Sequence, residues 1–300
     1  MVDRERRAAA FTIAGAALCA AVLAASQPRP LSTFVTGGER THVVEPGESL
    51  ALIASREGID GTVLARRNGN EPGARLIPGT PLIIDNLHVV PHAEAGISLV
   101  VNVPQRMLFL FDNAGRPLAA HPVGVGRASW PTPTGDFRVL VKEQNPTWDV
   151  PISIQEEMRR AGKPVVTTVA PGPQNPLGRR WIGLSIPSLG IHGTSQPTSV
   201  YGYVSHGCIR MLADHVAVVF EQVTLGARGR VVYEPVLMAR TADGIFLEAH
   251  RDIYRRRPED PRASLLGSAV AAGWAGDIDW AAVDHVLRTQ EGIATSVLRH

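Results

Sequence analysis

Cys208 lies in the run Ser205-His206-Gly207-Cys208-Ile209-Arg210 and is one of only two cysteines in 300 residues. A free thiol titrates near ~8.5, so at neutral pH little of it is the nucleophilic thiolate. A neighbouring histidine can take its proton, and an arginine can steady the anion. Gly207 lets backbone approach a substrate closely, as an oxyanion hole of N–H groups around Cys208 requires. A second histidine stands in Ile191-His192-Gly193-Thr194, sixteen residues before the cysteine. Acyl transfer needs one imidazole as general base and then as general acid. Spacing alone does not choose between His192 and His206. Two other readings compete. Cys208 can be a small buried hydrophobe whose histidine neighbours satisfy backbone groups. Alternatively, His192, His206 and Cys208 can hold zinc, but there is no fourth ligand and no CxxC or HxxxH spacing. A lone thiol flanked by His, Gly and Arg favours nucleophilic catalysis.

The chain that must position these groups has 30 basic and 28 acidic residues, a net charge of +2. Charge so close to balance gives no case for nucleic-acid binding. The 44% hydrophobic share excludes wholesale disorder, and 29 Gly and 23 Pro beside 5% aromatics point to a turn-heavy, β-rich protein. Two cysteines exclude a disulfide framework. Residues Ala8 to Ala25 are free of charge and follow Arg4, Arg6 and Arg7, so residues 1–26 read as a secretory signal or an uncleaved membrane anchor. Cleavage after Ala24-Ala25-Ser26 would remove Cys19 and leave Cys208 as the only thiol of an exported chain.

Past a polar linker, Gln27 to Arg40, the order strand (His42-Val43-Val44), helix capped by Ser49, helix (Thr62 to Arg67) and strand (Pro81 to Ile84) fits into fewer than fifty residues. A second linker, His88 to Gly96, leads to strands at Ile97–Val103, Met107–Phe111 and Phe137–Val141. Residues 143–180 carry six prolines and no strong periodicity, which reads as a functional loop, a lid over the Cys208 groove. A strand at Trp181–Leu184, a helix over Asp214–Val223 and a strand at Gly229–Tyr233 follow. The tail holds a strand at Gly244–Ala249, a basic patch Arg255-Arg256-Arg257 that reads as a solvated face, and helices near Ala263–Trp274 and Asp279–Gln290.

Two family resemblances attach to these residues. Val43, Pro46-Gly47-Glu48-Ser49-Leu50, Ile53-Ala54, Leu64, Asn68, Pro78-Gly79 and Leu82-Ile83-Ile84 resemble a LysM module, which implies binding of N-acetylglucosamine-containing glycan. Gly124-Val125-Gly126, Pro131 to Phe137, Pro171 to Gly178, His192-Gly193-Thr194 and Ser205 to Arg210 resemble an L,D-transpeptidase (YkuD-type) catalytic domain. The combination is similar to periplasmic L,D-transpeptidases of Gram-negative bacteria. The implied fold is mainly β: a mixed β-sandwich catalytic domain over 97–234, preceded by a small βααβ LysM domain over 41–86 and followed by an α/β extension over 235–300. The implied roles are nucleophile for Cys208 and proton donor and acceptor for His192. Ser205, His206 and Gly207 would shape the loop and oxyanion hole, while Arg210, Gly193 and Thr194 would contact substrate. The implied reaction attacks the third residue of a peptidoglycan tetrapeptide stem, expels D-alanine and passes the acyl group to an amine, either of a second stem or of an outer-membrane lipoprotein. Water as acceptor would make a carboxypeptidase or endopeptidase. A non-catalytic peptidoglycan-binding protein is the rival from another class. Neither metal nor organic cofactor is implied, and the expected compartment is the periplasm.

Overall fold

The computed structural model describes residues 31–256 and 260–299. The expected signal or anchor, Cys19, and Arg257 of the basic patch lie outside the described residues. Among the described residues no helix is long and apolar enough to cross a membrane.

Near the N-terminus, strand Glu39–Val43 pairs antiparallel with Pro81–Asp85, and helices Leu50–Glu57 and Gly61–Arg67 lie between them in sequence. Ser49 accepts from the Leu52 N–H, and Gly58 ends the first helix in a left-handed conformation (φ 71°). Leu50, Ile53, Ala54, Val63 and Leu64 face Leu82 and Ile84 in a small core that also takes in Ile293, from near the end of the chain. Asn68 pins the returning strand by donating to Ile83 O and accepting from Ile83 N.

The flanking segments are more than linkers. Val35–Thr36 pairs with His88–Val89, and Ser32 bridges to Ala239. Runs of two residues are too short to show a strand period, so sequence reasoning takes them for loop.

The centre of the molecule is one eight-stranded mixed sheet, in the order Ile209–Arg210, Gly190–His192, Arg180–Leu184, Gly135–Gln144, Arg228–Val232, Leu99–Asn102, Met107–Phe111, Pro117–Pro122. Two neighbouring pairs are parallel: Gly190–His192 with Ile209–Arg210, and Arg228–Val232 with Leu99–Asn102. Every residue of Leu99–Asn102 and Met107–Phe111 is buried, because both sheet faces are covered. Leu99, Val101, Leu108 and Leu110 share a core with Ile182, Ile191 and Ile209 and with Val216, Val219 and Phe220 of helix Ala213–Gln222. Val100, Met107, Phe109 and Phe111 pack the other way, against Val90, Ile97 and Tyr201. Side chains from strands near opposite edges meet in one core because the sheet curls. A backbone bridge between Gly124 and Arg210, two N–H···O bonds of 2.8 Å, brings the edges together.

Residues 143–180 are more ordered than their aperiodic, proline-rich sequence suggests. They hold helix Ile152–Arg160 between two short paired strands, Trp148–Asp149 and Thr168–Val169. The helix begins just after Pro151 and buries none of its residues, so it leaves no core stripe for sequence to show. The C-terminal region has its own three-stranded sheet (Val236–Thr241, Gly244–Ala249, Thr295–Ser296) covered by helices Pro261–Ala271 and Trp280–Thr289.

Candidate active site

The parallel pairing of Gly190–His192 with Ile209–Arg210 sets Ile191 opposite Ile209 and His192 opposite Arg210. Strand alternation then sends Ile191 and Ile209 into the core. His192 and Arg210 share the other face, and Cys208, just before the strand, lies near enough to Arg210 to feel its charge. Trp181, opposite His192 on the next strand, stacks on the imidazole at 5.9 Å between ring centroids. Gly190 makes this stack possible, since a Cβ there would fall 2.1 Å from the Trp181 ring.

His192 is buried, and its Nδ1 donates to Gly193 O at 2.6 Å. A second backbone contact, with Pro176, also pulls on the ring. Burial pushes its pKa down to about 4, against the pull of the Gly193 carbonyl, and the positive Arg210 adds to the depression. Cys208 is partly exposed, with Sγ 3.5 Å from Ser188 O. Burial of the sulfur pushes the thiol up, opposed by the Gly190 N–H and by Arg210. Both shifts favour the uncharged forms, thiol and neutral imidazole. Arg210 makes no ion pair among the described residues, and its buried Nε has no hydrogen-bond partner there.

The loop that presents the cysteine is tied from several directions. Ser205 Oγ donates to Cys208 O (2.5 Å) and accepts from Gly207 N (3.1 Å), so the Gly207 N–H serves loop shape. Gly207 holds φ at 109°, a conformation that favours glycine. Thr132 Oγ1 donates to Gly207 O and accepts from Gly126 N, both at 2.8 Å. Tyr254 Oη in turn donates to Gly126 O (2.6 Å) and accepts from Thr132 N (3.0 Å). The His206 ring turns towards helix Ile152–Arg160, where Glu157 Oε2 lies 2.5 Å from Nε2, and Trp130 meets it edge-on. Gly193 and Thr194 line a groove of about 910 Å³ with Pro171, Arg179, Arg180 and Ala213, in which Cys208 takes no part.

The structure thus sets His192 opposite Arg210 and Arg210 near Cys208, puts Ser205, His206 and Gly207 in the loop, and turns Gly193 and Thr194 to a neighbouring groove. Sequence reasoning missed Thr132, Tyr254, Arg127 and Glu157. Thr132 was within reach, inside the Pro131-to-Phe137 motif. The other three act across separations that no local pattern encodes.

The chain as a whole is similar to known proteins. A family model of the YkuD L,D-transpeptidase catalytic domain matches residues 97–236. YcfS of Escherichia coli (strain K12), named as a probable L,D-transpeptidase, is 28% identical over 285 residues, 90% of this chain and 87% of its own. YbiS of the same strain, named likewise, is 27% identical over 95% of each chain. YkuD of Bacillus licheniformis is 30% identical over 171 residues, 56% of this chain and 84% of its own.

Proposed function

We propose, from the premise that this chain belongs to the L,D-transpeptidase family, that it is a cysteine-dependent acyltransferase of peptidoglycan. The observation that carries the reading is the register that sets buried His192 opposite Arg210, which in turn lies near the Cys208 thiol. In the first step Cys208 Sγ attacks the carbonyl of the third stem residue while His192 takes the thiol proton. The tetrahedral intermediate collapses as the C–N bond to D-alanine breaks, and His192 returns the proton to the leaving amine. An incoming amine then loses a proton to His192, attacks the thioester and expels the Cys208 thiolate, which is reprotonated. Arg210, a cation without an acidic partner among the described residues, suits the stem's carboxylate. The acceptor is the amine of a second stem or of an outer-membrane lipoprotein, the LysM-like module holds the glycan, and the periplasm is the compartment.

Intact-mass measurement with a carbapenem-type β-lactam, followed by tetrapeptide muropeptides, tests this reading. The wild type is expected to gain one adduct and to release D-alanine, and Cys208→Ala to do neither. An adduct on Cys208→Ala overturns the nucleophile assignment. Product masses of shortened stems without crosslinks would reassign the acceptor to water. His192→Ala is expected to slow acylation by roughly 10²–10⁴-fold. Because the neutral imidazole is the base, acylation by the wild type should hold steady through mildly acidic pH. It should fall only as pH drops through about 4, the pKa to which burial lowers His192.

A further inference from the structure

Three ties hold the Cys208 loop, and they differ in what stands behind them. Ser205 acts from inside the loop. Thr132 acts from a turn that Tyr254 fixes. The third tie runs through the His206 side chain to helix Ile152–Arg160, where Glu157 Oε2 takes Nε2 at 2.5 Å and Glu157 Oε1 takes Arg127 Nη2 at 2.9 Å. Arg127 Nη2 is also 2.9 Å from His206 Nε2. One imidazole nitrogen cannot donate to Glu157 and accept from Arg127 at once. A carboxylate at 2.5 Å requires the donor form, so Arg127 braces Glu157 and does not compete for the ring. These hydrogen bonds from His206 and Arg127 also hold the Glu157 carboxyl below the usual range, which keeps it an acceptor.

The helix that carries Glu157 is otherwise weakly attached. It buries no residue, its N-terminus has no side-chain cap, and Gln155 bonds only within the segment, to Val150 O. Among the described residues, the hydrogen bonds and ion pairs that join it to anything outside 143–180 are those of Glu157. Arg127, by contrast, belongs to the fixed body, its backbone N–H donating to Ser205 O.

We propose that Glu157 is a positioning residue for the Cys208 loop: from helix Ile152–Arg160 it clamps His206, so the loop is held from all three sides only while that helix stays docked. The proposal rests on the reading of Cys208 as nucleophile, and its test separates the two.

The full chain is compared with Glu157→Ala, Glu157→Gln, His206→Ala and the Glu157→Ala/His206→Ala double variant. Turnover of tetrapeptide muropeptide and hydrogen exchange of the 152–160 amides are measured. Glu157→Ala is expected to lower kcat roughly 10- to 100-fold with little change in KM, and to speed exchange across 152–160. Glu157→Gln, which keeps an acceptor oxygen for the His206 N–H, should recover part of both. The double variant should be no worse than His206→Ala, because the two residues act through one contact. Wild-type kcat in Glu157→Ala, or losses that multiply in the double variant, overturns the proposal. If the wild type itself gains no adduct at Cys208, the proposed function fails; the clamp is then decided by exchange alone, and unchanged protection at 152–160 in Glu157→Ala overturns it.

Discussion

Two glutamate–histidine clusters in this molecule use the same chemistry in opposite settings. Glu248 is fully buried where three parts of the chain meet. His88 and His250 both approach its Oε1, at 2.8 and 2.6 Å, and Val89 N and Gln105 Nε2 donate to its Oε2 at 2.6 and 3.0 Å. Through His88 Nε2 the cluster reaches Gly58 O in the N-terminal module, and through Gln105 it reaches Asn102 in the central sheet. Glu157 has a similar set of partners, but its side chain is 39% exposed and sits on a helix with nothing buried. Desolvation makes the first cluster costly to open, because a lost partner strands a charge in low dielectric. Water can replace each partner of the second at small cost. One cluster is therefore a rivet between units, and the other opens at small cost.

The largest effect should come from the rivet. Glu248→Ala strands two buried imidazoles and the Val89 N–H, and is expected to cost about 3–5 kcal/mol, the usual loss on breaking a buried pair. Thermal melting of the full chain would show a large fall in Tm. A Tm within a degree or two of wild type would mean that the junction is not cooperative with the rest. Acidity should act at the same place. Burial opposes ionisation of Glu248, but the charge of His88 and the hydrogen bonds from His250 and His88 prevail and lower its pKa to about 2, from an ordinary value near 4.5. A lowered folded pKa gives stability that is present above the ordinary value and lost as pH falls through the folded one. Tm should therefore fall between about pH 4.5 and 2, and Glu248→Gln should flatten that slope.

The same contrast explains what the sequence could disclose. Cys208, His192 and Arg210 stand in short motifs whose residue types announce their chemistry, and strand Gly244–Ala249 is apolar enough to be read to the residue. Glu248 lies inside that strand and looks like an outward-facing charge. Only the approach of His88, 160 residues away, reveals that it is buried. Glu157 was hidden differently, since Pro151 and the absence of a buried face disguised its helix as loop. Local chemistry is legible because it is written in neighbouring residues. Polar contacts between distant segments leave no period and no composition to read.

A middle effect is expected at Thr132, which is buried like Glu248 yet serves the loop that Glu157 clamps. Thr132→Val keeps the shape and leaves the Gly126 N–H and Gly207 C=O unpaired, at about 1–3 kcal/mol. Its Tm loss should be smaller than that of Glu248→Ala, while acylation of Cys208 in the folded variant should slow, because the Gly207 carbonyl is released. Normal acylation with reduced Tm would show that Ser205 and the His206–Glu157 contact hold the loop without Thr132.

Salt should separate the clusters most gently. The Debye length shrinks from ~10 Å at ~0.1 M to ~3 Å at ~1 M, and screening reaches exposed pairs far more than buried ones. The Glu157 contacts with His206 and Arg127 are open to ions, whereas those of Glu248 are not. Raising salt should therefore hasten amide exchange across 152–160 by a small factor and leave exchange at His88, Val89 and Glu248 unchanged. Glu157→Ala should abolish the salt response of the helix, since the charge that salt acts on is gone. A salt response that survives in Glu157→Ala would place the electrostatic hold on the helix elsewhere, in the arginines at its end, Arg159 and Arg160. Equal responses at the two clusters would remove the distinction between rivet and clamp.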